Sequence, residues 1–371
     1  MKRPGGSKAA VISIILVAVI IFIGLYYAWS TVTAVFLPVS DAKNAKTVSI
    51  TVKPGETTAD IAEKLEKNGI IKNAFAFRLW SRVRGLDGKL QAGVYNKLNS
   101  SMTIDKIIDE FMNAQPDATQ VLVKEGYRLE EIANAVAQSS PVLVNFKKDE
   151  FLKYAHNIKS FPDYGKYPLL KQISQQSDSM EGFLFPAIYE IPVDADARVV
   201  IQRMITKTTE VLQENKLEAL AKQHQMSLYD LVTLASVVER ETGKVEEDRP
   251  NIASVYWNRL YKVNPEIGKL LQADPTVQYA RDNQEKPAKY WTPLQDSGGN
   301  VYPDSPYNTY TQAGLPPTPI CSPGLASLKA VAERPDTDYY YFFADKTGKS
   351  HFAKTHAEFT QLMAQYGVSG A

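Results

Sequence analysis

The chain has little cysteine and histidine, and this restricts the chemistry that it can use. Its 371 residues include one cysteine, Cys321, and four histidines. One cysteine cannot form a disulfide within the chain, and the histidines do not have the spacing of a zinc site. We therefore predict no internal disulfide, no catalytic metal and no cofactor.

An excess of charge of one sign is also missing. The 42 Lys and Arg residues nearly balance the 41 Asp and Glu residues, which leaves a formal net charge of +1. Broad binding to nucleic acid depends on a basic surplus that neutralises phosphates, so we predict no nucleic-acid partner. The length allows two or three domains with a sizeable core.

Residues 9–29 form the one long apolar run, with Ser13 as its only markedly polar side chain. About 20 apolar residues are needed for a helix to cross the hydrocarbon layer. Three basic residues precede the run and three aromatic residues lie near its far end, as is typical of a membrane anchor. We expect an uncleaved transmembrane helix at 9–29, a cytoplasmic N-terminus at 1–8 and a tether at 30–47.

Residues 48–115 carry short strand, turn and helix signals in alternation. Residues 48–52 alternate like a strand, Pro54-Gly55 is a turn, and residues 57–68 have the period of an amphipathic helix. A related pattern, Val-Lys-x-Gly followed by a helix, returns at Val123. The pattern resembles the LysM fold, whose members bind N-acetylated sugars. We predict a LysM-like α+β module at 48–115.

Residues 116–371 are expected to form a second, mixed α+β domain. Within it, residues 268–324 are rich in Pro, Gly, Asp, Asn and Tyr. A long irregular segment inside a compact domain is usually a binding loop, so we predict one here.

A helix at residues 227–243 is the strongest candidate for carrying chemistry. Ser227 and Asp230 have the spacing of a capping box, and an apolar stripe follows through Leu231, Leu234, Ala235 and Val238. At about 100° per residue, Glu239 and Glu241 lie on opposite shoulders of that stripe. Burial of a glutamate at such a place raises its pKa and suits it to act as a general acid. The spacing alone does not choose between the two glutamates, or between a catalytic and a solvated role.

Five ordered motifs make the chain similar to a known family. They are EGFLFP at 181–186, LASVVERETG at 234–243, LQADPTVQYA at 271–280, SPYNTY at 305–310 and GLPPTPI at 314–320. With this set, the chain resembles the YceG-like family of bacterial endolytic murein transglycosylases. The resemblance implies cleavage of peptidoglycan between N-acetylmuramic acid and N-acetylglucosamine without water, which leaves a 1,6-anhydro end.

One carboxylic acid can suffice for this reaction, because the C6 hydroxyl of the same sugar is the nucleophile. The acid first protonates the glycosidic oxygen and then accepts the hydroxyl proton. The resemblance assigns this role to the first glutamate of the V-E-x-E-T motif, Glu239. Glu241 then becomes a structural or orienting neighbour, although it stays open as the alternative acid.

The other motifs are predicted to form a substrate groove. Their amide, hydroxyl, carboxylate and aromatic groups suit sugar hydroxyls and acetamido groups. The predicted substrate-binding residues are Gln272, Asp274, Thr276, Tyr307, Asn308, Thr309 and Tyr310. Each could instead have a turn-forming or packing role, and Asp274 could also assist the acid. Ala187-Ile188, Thr318 and Ser322 depart from the family pattern, which weakens contacts assigned to those positions.

The resemblance also implies where the protein acts and with which partners. It implies a single-pass protein of the bacterial inner membrane whose catalytic domain is periplasmic. It further implies work beside peptidoglycan synthases, where the enzyme would end nascent glycan strands. The alternative is a non-catalytic, anchored protein that binds peptidoglycan or serves as a scaffold.

Overall fold

The computed structural model describes residues 6–53, 55–112, 118–294 and 304–368. The chain divides into two compact units, Met1–Ala118 and Thr119–Ala371. The described residues contain fourteen α-helices and three two-stranded sheets. The predicted α+β class is therefore confirmed.

The first unit is a small α+β body with its own core. Its elements are α1 (Gly6–Ala34), β1 (Ile50–Val52), α2 (Thr58–Lys67), α3 (Ala74–Val83), β2 (Gly93–Tyr95) and α4 (Ile104–Phe111). β1 and β2 pair antiparallel, with Ile50 opposite Tyr95. Thr57 and Asp60 form a capping box at the start of α2. The LysM-like assignment and glycan binding by this unit stay predictions.

The predicted membrane anchor lies within α1, which covers Gly6–Ala34. In the part of the chain that the structure describes, we find no helix with both the length and the hydropathy that a membrane crossing requires. The anchor therefore stays a prediction.

The second unit contains the remaining elements. They are β3 (Ala118–Leu122), α5 (Leu129–Ala137), α6 (Lys148–His156), α7 (Pro168–Ile173), β4 (Ile188–Pro192), α8 (Ala197–Glu214), α9 (Leu217–Gln223), α10 (Leu228–Glu241), α11 (Arg249–Tyr261), α12 (Asp274–Glu285), α13 (Leu325–Ala332), β5 (Tyr341–Ala344), β6 (Ser350–Ala353) and α14 (His356–Tyr366). The first element begins at the last residue of the first unit. β3 pairs with β4, and β5 pairs antiparallel with β6.

Helix α10 lies at the centre of this unit. Its predicted capping box is present, since the Ser227 hydroxyl accepts from the Asp230 amide and the Asp230 carboxylate accepts from the Ser227 amide. The predicted apolar stripe is buried, but burial extends around the whole helix, because every residue from Leu231 to Val238 is buried. α9, α11, α12 and α13 all pack against α10 and cover it on several sides. Tyr229 and Asp230 in its first turn and the residues of its C-terminal turn reach the surface, and the C-terminal turn carries both glutamates.

The prediction of one irregular segment at 268–324 needs a correction. Helix α12 occupies Asp274–Glu285 within that segment. Pro275 lies at the start of α12, where its missing N–H costs no hydrogen bond, and Asp274 adds a negative charge to the first turn. Among the described residues of the segment, those outside α12 are largely turns and bends.

Candidate active site

The two glutamates at the end of α10 contact different parts of the unit. Glu239 is half-buried, and its Oε2 accepts hydrogen bonds from the Gly324 amide at 3.0 Å and the Ser327 hydroxyl at 2.7 Å. Both donors lie at the N-terminus of α13, where backbone amides and the helix dipole favour a carboxylate. Glu239 therefore fastens the end of α10 to the start of α13.

Glu241 lines a cavity of about 650 Å³. Desolvation of its carboxyl group, assisted by the negative charge of Asp274, raises its pKa to about 7. A hydrogen bond with the Tyr256 side chain and the positive charges of Arg259 and Arg240 act in the opposite direction. A carboxyl group with a pKa near 7 can both donate and accept a proton at neutral pH.

Arg259 on α11 also lines the cavity. It is buried, and its Nε donates to the Tyr340 carbonyl at 2.7 Å, while Nη1 donates to the Leu271 carbonyl. Its guanidinium lies 5.8 Å from the ring centre of Tyr256 and 5.7 Å from that of Tyr341. One side chain thus ties α11 to the segment before α12 and to the hairpin of β5 and β6.

Three of the predicted groove residues line the same cavity as Glu241. They are Gln272, Asp274 and Tyr310. The Tyr310 hydroxyl donates to Asp274 Oδ1 at 2.7 Å. Gln272 has a positive φ of 52°, and its backbone N–H donates to the Thr309 carbonyl at 3.0 Å. Glu241, Gln272, Asp274 and Tyr310 therefore form part of a polar wall, to which Tyr256, Arg259, Glu266, Ser350 and His356 also contribute.

Three further predicted residues, Thr276, Asn308 and Thr309, are buried behind that wall. The hydroxyl groups of Thr276 and Thr309 lie 2.8 Å apart, and the Thr309 hydroxyl also accepts from the Ala273 amide at 3.1 Å. Asn308 Oδ1 accepts from the Tyr310 amide at 3.1 Å. These contacts indicate that the three side chains hold Asp274 and Tyr310 in place. Because they are buried, they are not positioned to contact a sugar directly.

Tyr307 is half-buried and does not line the cavity with Glu241. Its hydroxyl lies 2.9 Å from the Thr318 hydroxyl, and its ring centre is 5.0 Å from that of Tyr279. Thr318, one of the departures from the family pattern, thus has a hydrogen-bonding role here. Ala187 and Ile188 line a separate groove between β4 and α8.

Sequence reasoning did not find the cavity residues Tyr256 and Arg259. Neither lies in one of the five motifs. A charged residue on the buried side of a predicted helix is the signal that could have identified Arg259, because a buried guanidinium needs acceptors.

A second buried cluster lies around Glu181, the first residue of the EGFLFP motif. Glu181 has no exposed surface, and its Oε2 accepts from the Tyr279 hydroxyl at 3.2 Å and the Leu129 amide at 3.4 Å. Desolvation, and then the charge of Glu130, raises the pKa of Glu181 to about 8, although Arg128 opposes this. The guanidinium of Arg128 lies 4.4 Å from the ring centre of Tyr279. This cluster anchors α12 and therefore the helix start that carries Asp274.

Comparison with known proteins gives matches over most of the chain. The model of the YceG-like family matches residues 50–365. A protein of Bacillus subtilis (strain 168) named endolytic murein transglycosylase is 34% identical over 332 residues, covering 87% of this chain and 86% of its own length. A protein of Streptococcus pneumoniae serotype 2 (strain D39) with the same name is 29% identical, covering 97% of this chain and 65% of its own. The crystal structure of a YceG-like protein from Listeria monocytogenes is 30% identical with a TM-score of 0.52, covering 86% of this chain and 100% of that one.

Proposed function

Because the chain belongs to the YceG-like family, we propose that it is a membrane-anchored endolytic lytic transglycosylase of peptidoglycan. Its class as an enzyme, a lytic transglycosylase, follows from the family and from the names of two relatives. The proposed substrate is the glycan strand. The bond cleaved is the one between N-acetylmuramic acid and N-acetylglucosamine, and the product has a 1,6-anhydro end.

The observation that carries the mechanism is the position of Glu241 in the cavity with a pKa raised to about 7. Protonated Glu241 donates its proton to the glycosidic oxygen, and the bond from that oxygen to C1 breaks. The C6 hydroxyl oxygen of the same sugar then bonds to C1, and its proton passes to the Glu241 carboxylate. This restores the acid and consumes no water.

Asp274 has a supporting role in this mechanism. The transition state carries positive charge on the sugar ring, and a nearby carboxylate stabilises such charge. The Tyr310 hydroxyl holds Asp274 Oδ1, which fixes the direction of the carboxylate. The negative charge of Asp274 also helps to keep the proton on Glu241.

Our choice of acid differs from the one that the family resemblance implies. Glu239 is the first glutamate of the motif, and its Oε2 accepts hydrogen bonds from Gly324 and Ser327. These contacts engage Glu239 with the start of α13, whereas Glu241 lines the cavity. We therefore propose Glu241 as the acid and base, and Glu239 as a positioning residue that fixes the end of α10.

The cellular part of the proposal rests on the sequence. The apolar run at 9–29 and the basic residues before it support a single-pass anchor with a periplasmic catalytic domain. A tether at 30–47 limits the reach to strands near the membrane. We propose that the enzyme ends nascent strands there, beside peptidoglycan synthases, and that the module at 48–115 contacts glycan.

The test is a product analysis with the full chain in detergent and purified glycan strands. The account predicts new fragments whose ends are lighter than reducing ends by one water. Ordinary reducing ends would overturn the transglycosylase mechanism and indicate hydrolysis with Asp274 as a second carboxylate. Binding without fragments would support the non-catalytic alternative.

A further inference from the structure

The cavity that holds Glu241 also has an apolar wall, which the proposed mechanism does not use. Four of its lining residues are Tyr341 and Phe343 from β5 and Phe359 and Met363 from α14. We call these four residues the apolar wall. None of them was among the residues expected to contact substrate.

Helix α14 directs its apolar side chains to this cavity and to the hairpin beside it. None of its residues is fully buried, and Phe359 and Met363 are both half-buried. The ring centre of Phe359 lies 5.5 Å from that of Tyr341 and 5.7 Å from that of Phe343. Thr355 caps the helix at its start, and Gly367 ends it in a left-handed conformation. The helix is thus well defined, but Phe359 and Met363 on its apolar side stay half-buried and line the cavity.

The two walls together match the chemistry of an N-acetylated sugar. A pyranose ring has polar hydroxyl edges and apolar C–H faces, and its acetamido group adds a methyl group. Ligand sites of about 300–1,000 Å³ combine mainly apolar walls with a few placed polar groups. The volume of about 650 Å³ lies within that range. Glu241, Gln272, Asp274 and Tyr310 are among the residues that supply its polar groups.

We propose that the apolar wall is a specificity determinant that contacts the C–H face and the acetamido methyl group of a sugar next to the cleaved bond. This inference rests on the proposed function of the cavity, and it assigns substrate contact to the C-terminal helix. Phe359 makes the central contact, because its ring packs beside those of Tyr341 and Phe343.

The kinetic test compares Phe359→Ala with the wild-type chain on glycan strands. Loss of one aromatic contact is expected to raise KM roughly tenfold, with a smaller change in kcat. Phe359→Trp keeps an aromatic surface and should recover most of the loss. Gln361→Ala changes an exposed neighbour on the same helix and serves as the matched control. An unchanged KM for a folded Phe359→Ala would overturn the inference and leave the proposed function intact.

A binding test separates the inference from the reaction itself. The probes are a neutral oligosaccharide of N-acetylglucosamine and an oligosaccharide of glucose, each titrated into the Glu241→Gln variant. We expect the N-acetylated probe to bind more tightly and this preference to shrink when Phe359→Ala or Met363→Ala is added. Met363→Ala keeps the test decisive if loss of the ring unfolds the helix. Equal binding of the two probes, or a preference that survives both substitutions, would contradict the role of the apolar wall even if the chain cleaves strands.

Discussion

The hydroxyl of Tyr310 donates a 2.7 Å hydrogen bond to Oδ1 of Asp274, and both side chains line the cavity with Glu241. Tyr310 lies in the loop before α13, whereas Asp274 begins α12. The bond fixes one carboxylate beside another. Because the negative charge of Asp274 raises the pKa of Glu241, the position that Tyr310 gives to Asp274 affects how readily Glu241 is protonated.

Removal of the Asp274 charge should change the pH dependence of the reaction. The charge raises the pKa of Glu241, so Asp274→Asn should lower that pKa. Because Glu241 must be protonated at the start, activity falls as pH rises above its pKa. The alkaline limb of the kcat/KM profile should therefore move to lower pH. A limb that stays in place would show that Asp274 does not act on the acid.

Tyr256→Phe is the matched control for that experiment, because its effect has the opposite sign. The Tyr256 hydrogen bond lowers the pKa of Glu241, so its loss should raise the pKa and move the alkaline limb to higher pH. A shift in the same direction for both variants would argue against Glu241 as the titrating acid.

Gly182 is a position where a side chain should be costly. It has a φ of +81°, and a Cβ there would lie 2.8 Å from Cγ of the rigid Pro319 ring. Gly182→Ala should therefore lower the free energy of unfolding by about 1–3 kcal/mol. Gly165→Ala is the control, because a Cβ there meets no atom within 4 Å. Denaturant unfolding of both variants measures the difference, and equal stabilities would contradict the packing described here.

Glu181 should make stability depend on pH. Its folded pKa of about 8 lies above the ordinary value of 4.5, so the unfolded chain loses this proton first as pH rises. The contribution of Glu181 to the free energy of unfolding is fully present below about pH 4.5. It is lost between about pH 4.5 and about pH 8, at up to roughly 1.4 kcal/mol per pH unit. Glu181→Gln cannot ionise, so its stability relative to wild type should rise across that range. Parallel pH profiles for the two proteins would mean that Glu181 keeps its ordinary pKa.

The proposed membrane anchor has a direct test in cell fractionation. The full chain should stay with the membrane pellet after alkaline extraction, and a chain that lacks residues 1–29 should be soluble. The physical reason is the cost of exposing the apolar run at 9–29 to water. Extraction of the full chain from the pellet would refute the anchor.

Local signals predicted several elements well. Ser227 with Asp230 marks the start of α10, and the helical period of residues 57–68 matches α2. These signals depend on residues a few positions apart, so sequence alone can find them. Helix α12 was missed because its Asp, Pro and Asn residues are typical of loops, and tertiary packing outweighs that preference.

The site was harder to predict than the fold, because it depends on long-range contacts. The hydrogen bonds from Gly324 and Ser327 to Glu239 join positions more than 80 residues apart. Spacing along α10 correctly separated the directions of Glu239 and Glu241, but it contained no information on what each would contact. For the same reason, the apolar wall, which α14 and β5 supply, had no signal in the motifs.

The choice between the two glutamates is the most direct test of the account. The measurement is the rate of release of anhydro-ended fragments from glycan strands by Glu241→Gln and Glu239→Gln, with Glu247→Gln as an exposed control. The account predicts that Glu241→Gln loses nearly all activity, by a factor of at least about 100. It predicts that Glu239→Gln keeps a measurable rate, because its amide oxygen can still accept from Gly324 and Ser327. Full activity of Glu241→Gln, with loss of activity in Glu239→Gln, would contradict it.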